Sequence, residues 1–134
     1  MDDNAVRLLL HETVEFGDLS DLRTRLLRLT AAAGLAPERG QDFAVAVHEA
    51  AANAVRHGGG RGEVVVTRDG DRRLTAEISD HGPGLPSGVA AALPDPEATG
   101  GRGLWMADAL TEHLRVDTCR RGTTVRFDMT LDPP

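Results

Sequence analysis

The chain contains no lysine; all 15 of its Lys-or-Arg residues are arginine. That absence excludes several mechanisms. A P-loop needs its lysine to reach the phosphates, protein kinases of the common type need a strand lysine, and Schiff-base chemistry needs an amine side chain. Any handling of phosphate here must rest on backbone amides, arginine and a metal ion. Cysteine is almost as scarce: Cys119 stands alone and cannot close an internal disulfide, which favours a reducing, cytoplasmic setting. No apolar stretch approaches the roughly 20 residues that span a bilayer, so no membrane association is expected. The start, Met1-Asp2-Asp3-Asn4, is acidic and lacks the basic flank and small-residue cleavage site of a secretory signal. Positive charge is not in excess either. A net charge of -6 and a pI near 5.3 argue against direct binding to a nucleic-acid backbone.

What is present fits one soluble domain covering residues 1–134, with 40% hydrophobic residues and no repeat or linker. Val6 to Leu10 is a short apolar run suited to a first strand. Leu19, Leu22, Leu26, Leu29 and Ala33 recur at helical spacing, Ser20 or Asp18 offers an N-cap, and Gly34 stands at the C-cap position; a first helix is expected from Leu19 to Ala33. Pro37 opens a second helix that ends at His57 before three glycines. Glu63 to Arg68 and Leu74 to Ser79, joined by Asp69-Gly70-Asp71, read as a hairpin. The glycine- and proline-rich stretch from Asp80 to Gly103 holds one possible helical turn, Val89 to Leu93, and loops this long in small domains usually serve a function. A third helix over Leu104 to Leu110 and a closing hairpin, Leu114 to Thr118 with Thr123 to Leu131, complete the chain. The order predicts an α+β fold, a two-layer sandwich with a mainly antiparallel mixed sheet covered on one face by about three helices.

Three places carry chemistry. In the alanine- and valine-rich second helix, Glu49 and Asn53 lie i, i+4 and project from one face, flanked by Ala46, Ala50 and Ala54. A carboxylate at least partly buried there needs an arginine, a backbone donor, or a metal and ligand; a structural polar pair is the alternative. Asp80-His81-Gly82-Pro83-Gly84 fixes a carboxylate at a strand end, where it can accept a hydrogen bond from an exocyclic base amine, although this pattern also occurs in ordinary turns. Gly100-Gly101-Arg102-Gly103 precedes a helix whose N-terminal amides can face an anion, or else forms a plain connector. The five histidines are scattered and suggest no metal site, Trp105 is expected in the core, and Cys119 reads as a strand residue.

Taken together, in this order and spacing, the motifs resemble the GHKL ATPase superfamily, which has the Bergerat ATP-binding fold. His48-Glu49-Ala50-Ala51-Ala52-Asn53-Ala54-Val55-Arg56-His57-Gly58 is similar to its N box, Asp80-His81-Gly82-Pro83-Gly84 to its G1 box, and Gly101-Arg102-Gly103-Leu104 to its G2 box. Gly122-Thr123-Thr124-Val125 resembles the segment that closes the adenine site. The likeness runs from about Val6 to Thr130, and the two helices before the N box resemble those of bacterial anti-sigma factor serine kinases. The resemblance implies ATP and Mg²⁺ as cofactors. It makes Asn53 the Mg²⁺ ligand, Asp80 the partner of the adenine amine and Glu49 the general base, with Gly82, Gly84, Gly101, Arg102, Gly103 and Thr124 around the nucleotide. It further implies a sigma factor and an anti-anti-sigma (STAS-like) protein as partners, and a possible homodimer.

One departure stands out. Kinases of this family often carry an arginine shortly before the G2 glycines, whereas this chain reads Glu97-Ala98-Thr99-Gly100. Two functions therefore follow from the sequence: a protein serine kinase that is also an anti-sigma factor, or an ATP-binding module that sequesters a partner without phosphotransfer. A histidine kinase fragment ranks below both, since the chain has no room for a separate histidine-bearing dimerisation domain.

Overall fold

A computed structural model describes residues 5–70, 72–82 and 102–131, with the backbone alone for Arg102 and Gly103. Among these residues the elements are β1 (Arg7–Val14), α1 (Leu19–Ala33), α2 (Pro37–His57), β2 (Gly62–Asp69), β3 (Arg73–Ser79), α3 (Arg102–Leu110), β4 (Glu112–Cys119) and β5 (Gly122–Thr130). The strands form one sheet in the order β1-β2-β3-β5-β4. The expected two-layer α+β sandwich is present. Its sheet is more uniform than expected, because all the described ladders are antiparallel.

The helices form because their apolar residues recur on one face. Leu19, Leu22, Leu26 and Thr30 are the buried stripe of α1, and Gly34 ends it in a left-handed turn (φ 96°), with Leu35 N–H donating back to Thr30 O. Asp18 does stand at the N-cap, but its carboxylate accepts from the Glu15 amide at 2.9 Å and leaves the α1 amides uncapped. Helix α2 is buried from Phe43 to Val55 apart from half-buried Val45, His48 and Glu49. Small residues make this possible: a Cβ on Gly40 would stand 2.7 Å from Thr30 Oγ1, so glycine sets how closely α1 and α2 approach.

Alternation fixes the sheet's two faces. On β3, Leu74, Ala76 and Ile78 are buried, and on β5, Val125, Phe127 and Met129 are buried; these meet the helices. Phe127 packs edge-on against Phe43 of α2, ring centroids 6.0 Å apart and planes at 72°. The other face of β3 and β5 carries Arg73, Thr75, Glu77, Thr124, Arg126 and Asp128. Strand β1 runs four residues further than the expected Val6 to Leu10, through polar His11, Glu12 and Thr13, and a register shift between Leu8 and Leu10 hides its alternation. The third helix starts two residues before Leu104, and the Val89 to Leu93 expectation lies outside the described residues. Trp105 is half-exposed rather than core; Leu104 and Ala107 are the buried residues of α3.

Candidate functional site

Three segments converge at one end of the sheet: the C-terminus of α2, the residues after β3 and the start of β5. Asp80 is at their centre. It continues the parity of Leu74, Ala76 and Ile78, so its side chain belongs to the helix-covered face. Its backbone N–H donates to Thr123 O at 2.9 Å, and its Oδ1 accepts the Gly82 amide at 3.0 Å and the Thr123 amide at 3.3 Å. The carboxylate is thereby held from both flanks.

Side chains are excluded from this corner. A Cβ on Gly58 would lie 2.3 Å from Asp80 Cγ, and one on Gly82 would lie 2.5 Å from Gly58 Cα. Gly122 adopts φ 144°, and a Cβ there would come within 2.0 Å of Asp80 O. The sequence assigned Gly82 to the nucleotide; Gly58 and Gly122 stood only as the last residue of the N-box motif and the first of the segment that resembles the adenine-closing one. Their role here comes from contacts between segments distant in the chain, which no local pattern encodes.

Upstream of Gly58, α2 presents Asn53, buried, and Glu49, whose side chain is 34% exposed and has His48 Nδ1 at 3.9 Å from its Oε1. At 1.5 Å of rise per residue, Asn53 lies roughly 7.5 Å and Glu49 roughly 13.5 Å along the helix from Gly58. A ligand lying along α2 from the Asp80 corner thus meets a carboxylate, a buried amide and a second, more accessible carboxylate in that order. Helix α3 packs beside α2, and its first turn starts at Arg102 and Gly103. Gly84 and Gly101 lie outside the described residues.

Thr124 lines a cavity of about 400 Å³ together with Asp80. In the β5 alternation it faces the uncovered surface, with Ser79 and Asp117 as register partners. The buried neighbour, Thr123, shares the face of Asp80, and its hydroxyl is 2.8 Å from that of Thr118. A pattern of two adjacent threonines leaves their facing open, and only the register decides it.

Two cavities, of about 450 and 400 Å³, flank the Asp80–His81 turn, and a larger one of about 600 Å³ lies between β1 and α1, lined in part by Arg7, Leu9, Arg25 and Arg68. We place the candidate site at Asp80 because oriented polar groups, rather than volume, distinguish it. Register also assembles a group that the scattered histidines did not suggest. Carboxylates of Glu112 and Asp128 and a ring nitrogen of His113 lie within 4.8 Å of one another. Arg73 Nη1, 2.7 Å from Asp128 Oδ1 and 3.2 Å from His113 Nδ1, already occupies it, so the cluster reads as an ion-pair network on the uncovered face. No helix among the described residues is long and apolar enough to cross a membrane.

A sequence profile of the histidine kinase-like ATPase domain matches residues 13–129. The chain belongs to that family. No curated protein sequence matches it. Among solved structures, this GHKL domain is similar to the RsbU and RsbW domains of Rv1364c from Mycobacterium tuberculosis, at 24% identity and a TM-score of 0.69, over 93% of this chain and 33% of that one. It also matches the histidine kinase domain of a blue-light activated histidine kinase from Erythrobacter litoralis (20% identity, TM-score 0.59, covering 82% and 65% of the two chains). A third match is the mycobacterial sensor histidine kinase MprB (19%, 0.58, covering 93% and 100%). At these identities the likeness establishes the fold. The GHKL domain spans about a third of the first of these chains and just under two thirds of the second.

Proposed function

We propose that the chain binds ATP with Mg²⁺ along α2 and acts as a protein serine kinase. In this reading it is also a cytoplasmic anti-sigma factor whose substrate is an anti-anti-sigma (STAS-like) protein, and it works as a homodimer. The observation that carries the proposal is the Asp80 carboxylate held by two backbone amides, with Asn53 and Glu49 following it along one helix face.

The donor set fits the ligand. A purine amine is a donor and Asp80 supplies an acceptor. Mg²⁺ takes hard oxygen ligands, and Asn53 offers a buried carbonyl oxygen on the helix face it shares with Glu49. Mg²⁺ would offset charge on the phosphates. Glycines Gly82, Gly84, Gly101 and Gly103 would admit close backbone contact, with Arg102 beside the phosphates. Thr123 and Thr124 would stand at the adenine side of the site.

Glu49 is far enough along α2 to meet the incoming hydroxyl, and it is exposed enough for a protein substrate to reach. The serine oxygen bonds to the γ-phosphorus, the bond to the bridging oxygen of ADP breaks, and the hydroxyl proton passes to the Glu49 carboxylate. The similarity to an RsbU and RsbW domain pair supports a regulatory partner over a metabolite as acceptor.

A second reading, an ATP-dependent sequestering module without phosphotransfer, is favoured by the lack of an arginine in Glu97-Ala98-Thr99. Incubation with γ-labelled ATP and a serine-bearing partner separates the two. Acid-stable label on the partner supports the kinase, whereas intact nucleotide affinity without transfer supports the module. Acid-labile label would instead point to a histidine acceptor.

A further inference from the structure

The cavity of about 600 Å³ between β1 and α1 lies at the end of the sheet away from Asp80. Strand β2 starts at Gly62, where its neighbour Glu63 pairs with Ser79, and reaches Arg68 roughly 20 Å further on. Arg68 continues the parity of buried Val64 and Val66, and Arg7 is its register partner, so both side chains belong to the helix-covered face. Beside them Leu8 pairs with Thr67 and Leu10 with Val66, which leaves Leu9 as the extra residue of a bulge. Leu9 lines the cavity together with Leu29, Ala32 and Ala33 of α1.

Like charges set directly opposite each other in an antiparallel pair repel. Neither Arg7 nor Arg68 has an ion pair among the described residues. Glu12 is the one carboxylate on the cavity wall, and Arg25 already holds it. Three lining arginines against one carboxylate leave two positive charges unmatched, in a chain whose net charge is -6.

We propose that this cavity is a second ligand site, for a small amphipathic anion. The Arg7 and Arg68 guanidiniums take a phosphate or carboxylate head, and the wall of Leu9, Leu29, Ala32 and Ala33 takes an aliphatic tail. An oxyanion between the two arginines replaces one repulsion with two charge-assisted pairs, which guanidinium groups make well. The volume is that of a small-molecule site, and a charged end beside an apolar wall sets the ligand's chemistry. The site is separate from the nucleotide and does not depend on how that is read.

The test is an NMR titration of the isotope-labelled whole chain with octyl phosphate and with octanoate, both below their micelle concentrations. Amides of β1 and of the C-terminal half of α1 should shift. Octanol, which lacks the head, and inorganic phosphate, which lacks the tail, should each bind at least about 10-fold more weakly. Hexyl phosphate should lose about 10-fold against octyl phosphate, since each buried methylene is worth about fourfold. The tighter of octyl phosphate and octanoate identifies the head, and either order supports the site. Arg68→Gln should weaken the better ligand by about 10- to 100-fold. It should leave ATP affinity and melting temperature no lower than in the wild type, because it relieves the like-charge pair; Arg7→Gln, on the exposed edge, repeats the test if that variant does not fold. Absence of shifts overturns the inference, as does binding that survives both substitutions. Shifts of the same amides with protein concentration alone would show a second copy covering this face and overturn it too.

Discussion

Asp80 and Thr123 exchange two hydrogen bonds: the Asp80 amide donates to Thr123 O at 2.9 Å, and the Thr123 amide donates to Asp80 Oδ1 at 3.3 Å. The β3–β5 ladder ends in register at Ser79 and Thr124, so this exchange extends the pairing one step through a side chain. The same carboxylate is therefore a structural clamp and, in the proposed site, the group that would be offered to a base. Its removal should be felt twice.

Asp80→Ala is expected to weaken ATP by about 1.5–3 kcal/mol through loss of a hydrogen bond to a charged group. It should also lower stability by about 1–3 kcal/mol, because the amides of Gly82 and Thr123 lose their acceptor. Calorimetric titration reads the first effect and urea unfolding the second. Wild-type affinity in a folded variant would remove Asp80 from the base site.

Glu49→Gln preserves shape and hydrogen bonding but cannot take a proton. Phosphotransfer to a serine-bearing partner should slow by about 10²- to 10⁴-fold with ATP affinity retained. Single-turnover rates at saturating ATP isolate the step. An undiminished rate would exclude Glu49 as the base.

The elements that announced themselves in the sequence are those whose pattern is local. The leucines of α1 and the Asp69-Gly70 turn give the helix and first hairpin nearly to the residue. Strand β1 was half hidden, because its register shift at Leu8 to Leu10 breaks alternation and an edge strand tolerates the polar run that follows. At the site, Glu49, Asn53 and Asp80 were visible as polar residues in apolar or glycine-rich surroundings. Gly58 and Thr123 stood inside the quoted motifs without an assigned contact, since their approach to Asp80 arises only when α2, β3 and β5 meet.

Phe127 joins those layers from the sheet side. It is fully buried and packs edge-on against Phe43, so Phe127→Ala should leave a cavity and cost about 3–5 kcal/mol. Because Phe43 belongs to the helix that carries Glu49 and Asn53, the substitution loosens the site's support as well as the core. Chemical denaturation should show a lower midpoint with little change in slope. A loss below about 1 kcal/mol would mean that the helices slide to fill the space.

Arg25 tethers α1 to the edge strand, its Nε donating to Glu12 Oε2 at 2.6 Å and its Nη2 to Glu12 Oε1. The hydrogen bond to Glu12 raises the guanidinium pKa above its ordinary value; desolvation opposes this in part, and the charges of Glu12, Asp21 and Asp18 add to the rise. A group whose folded-state pKa is raised contributes stability that is complete below the unfolded pKa and is lost only as pH climbs through the folded one. For an arginine that window lies above the range where proteins are studied, so its protonation imposes no pH dependence near neutrality. Both side chains are partly exposed, which keeps the pair to below about 1 kcal/mol. Arg25→Ala should therefore lower the melting temperature by the same small amount at each pH between about 7 and 10. A difference that grew or vanished across that range would show that Arg25 acts through a group other than Glu12, and a drop of several kcal/mol would mean that α1 depends on this pair rather than on Leu22 and Leu26 for its seat on the core.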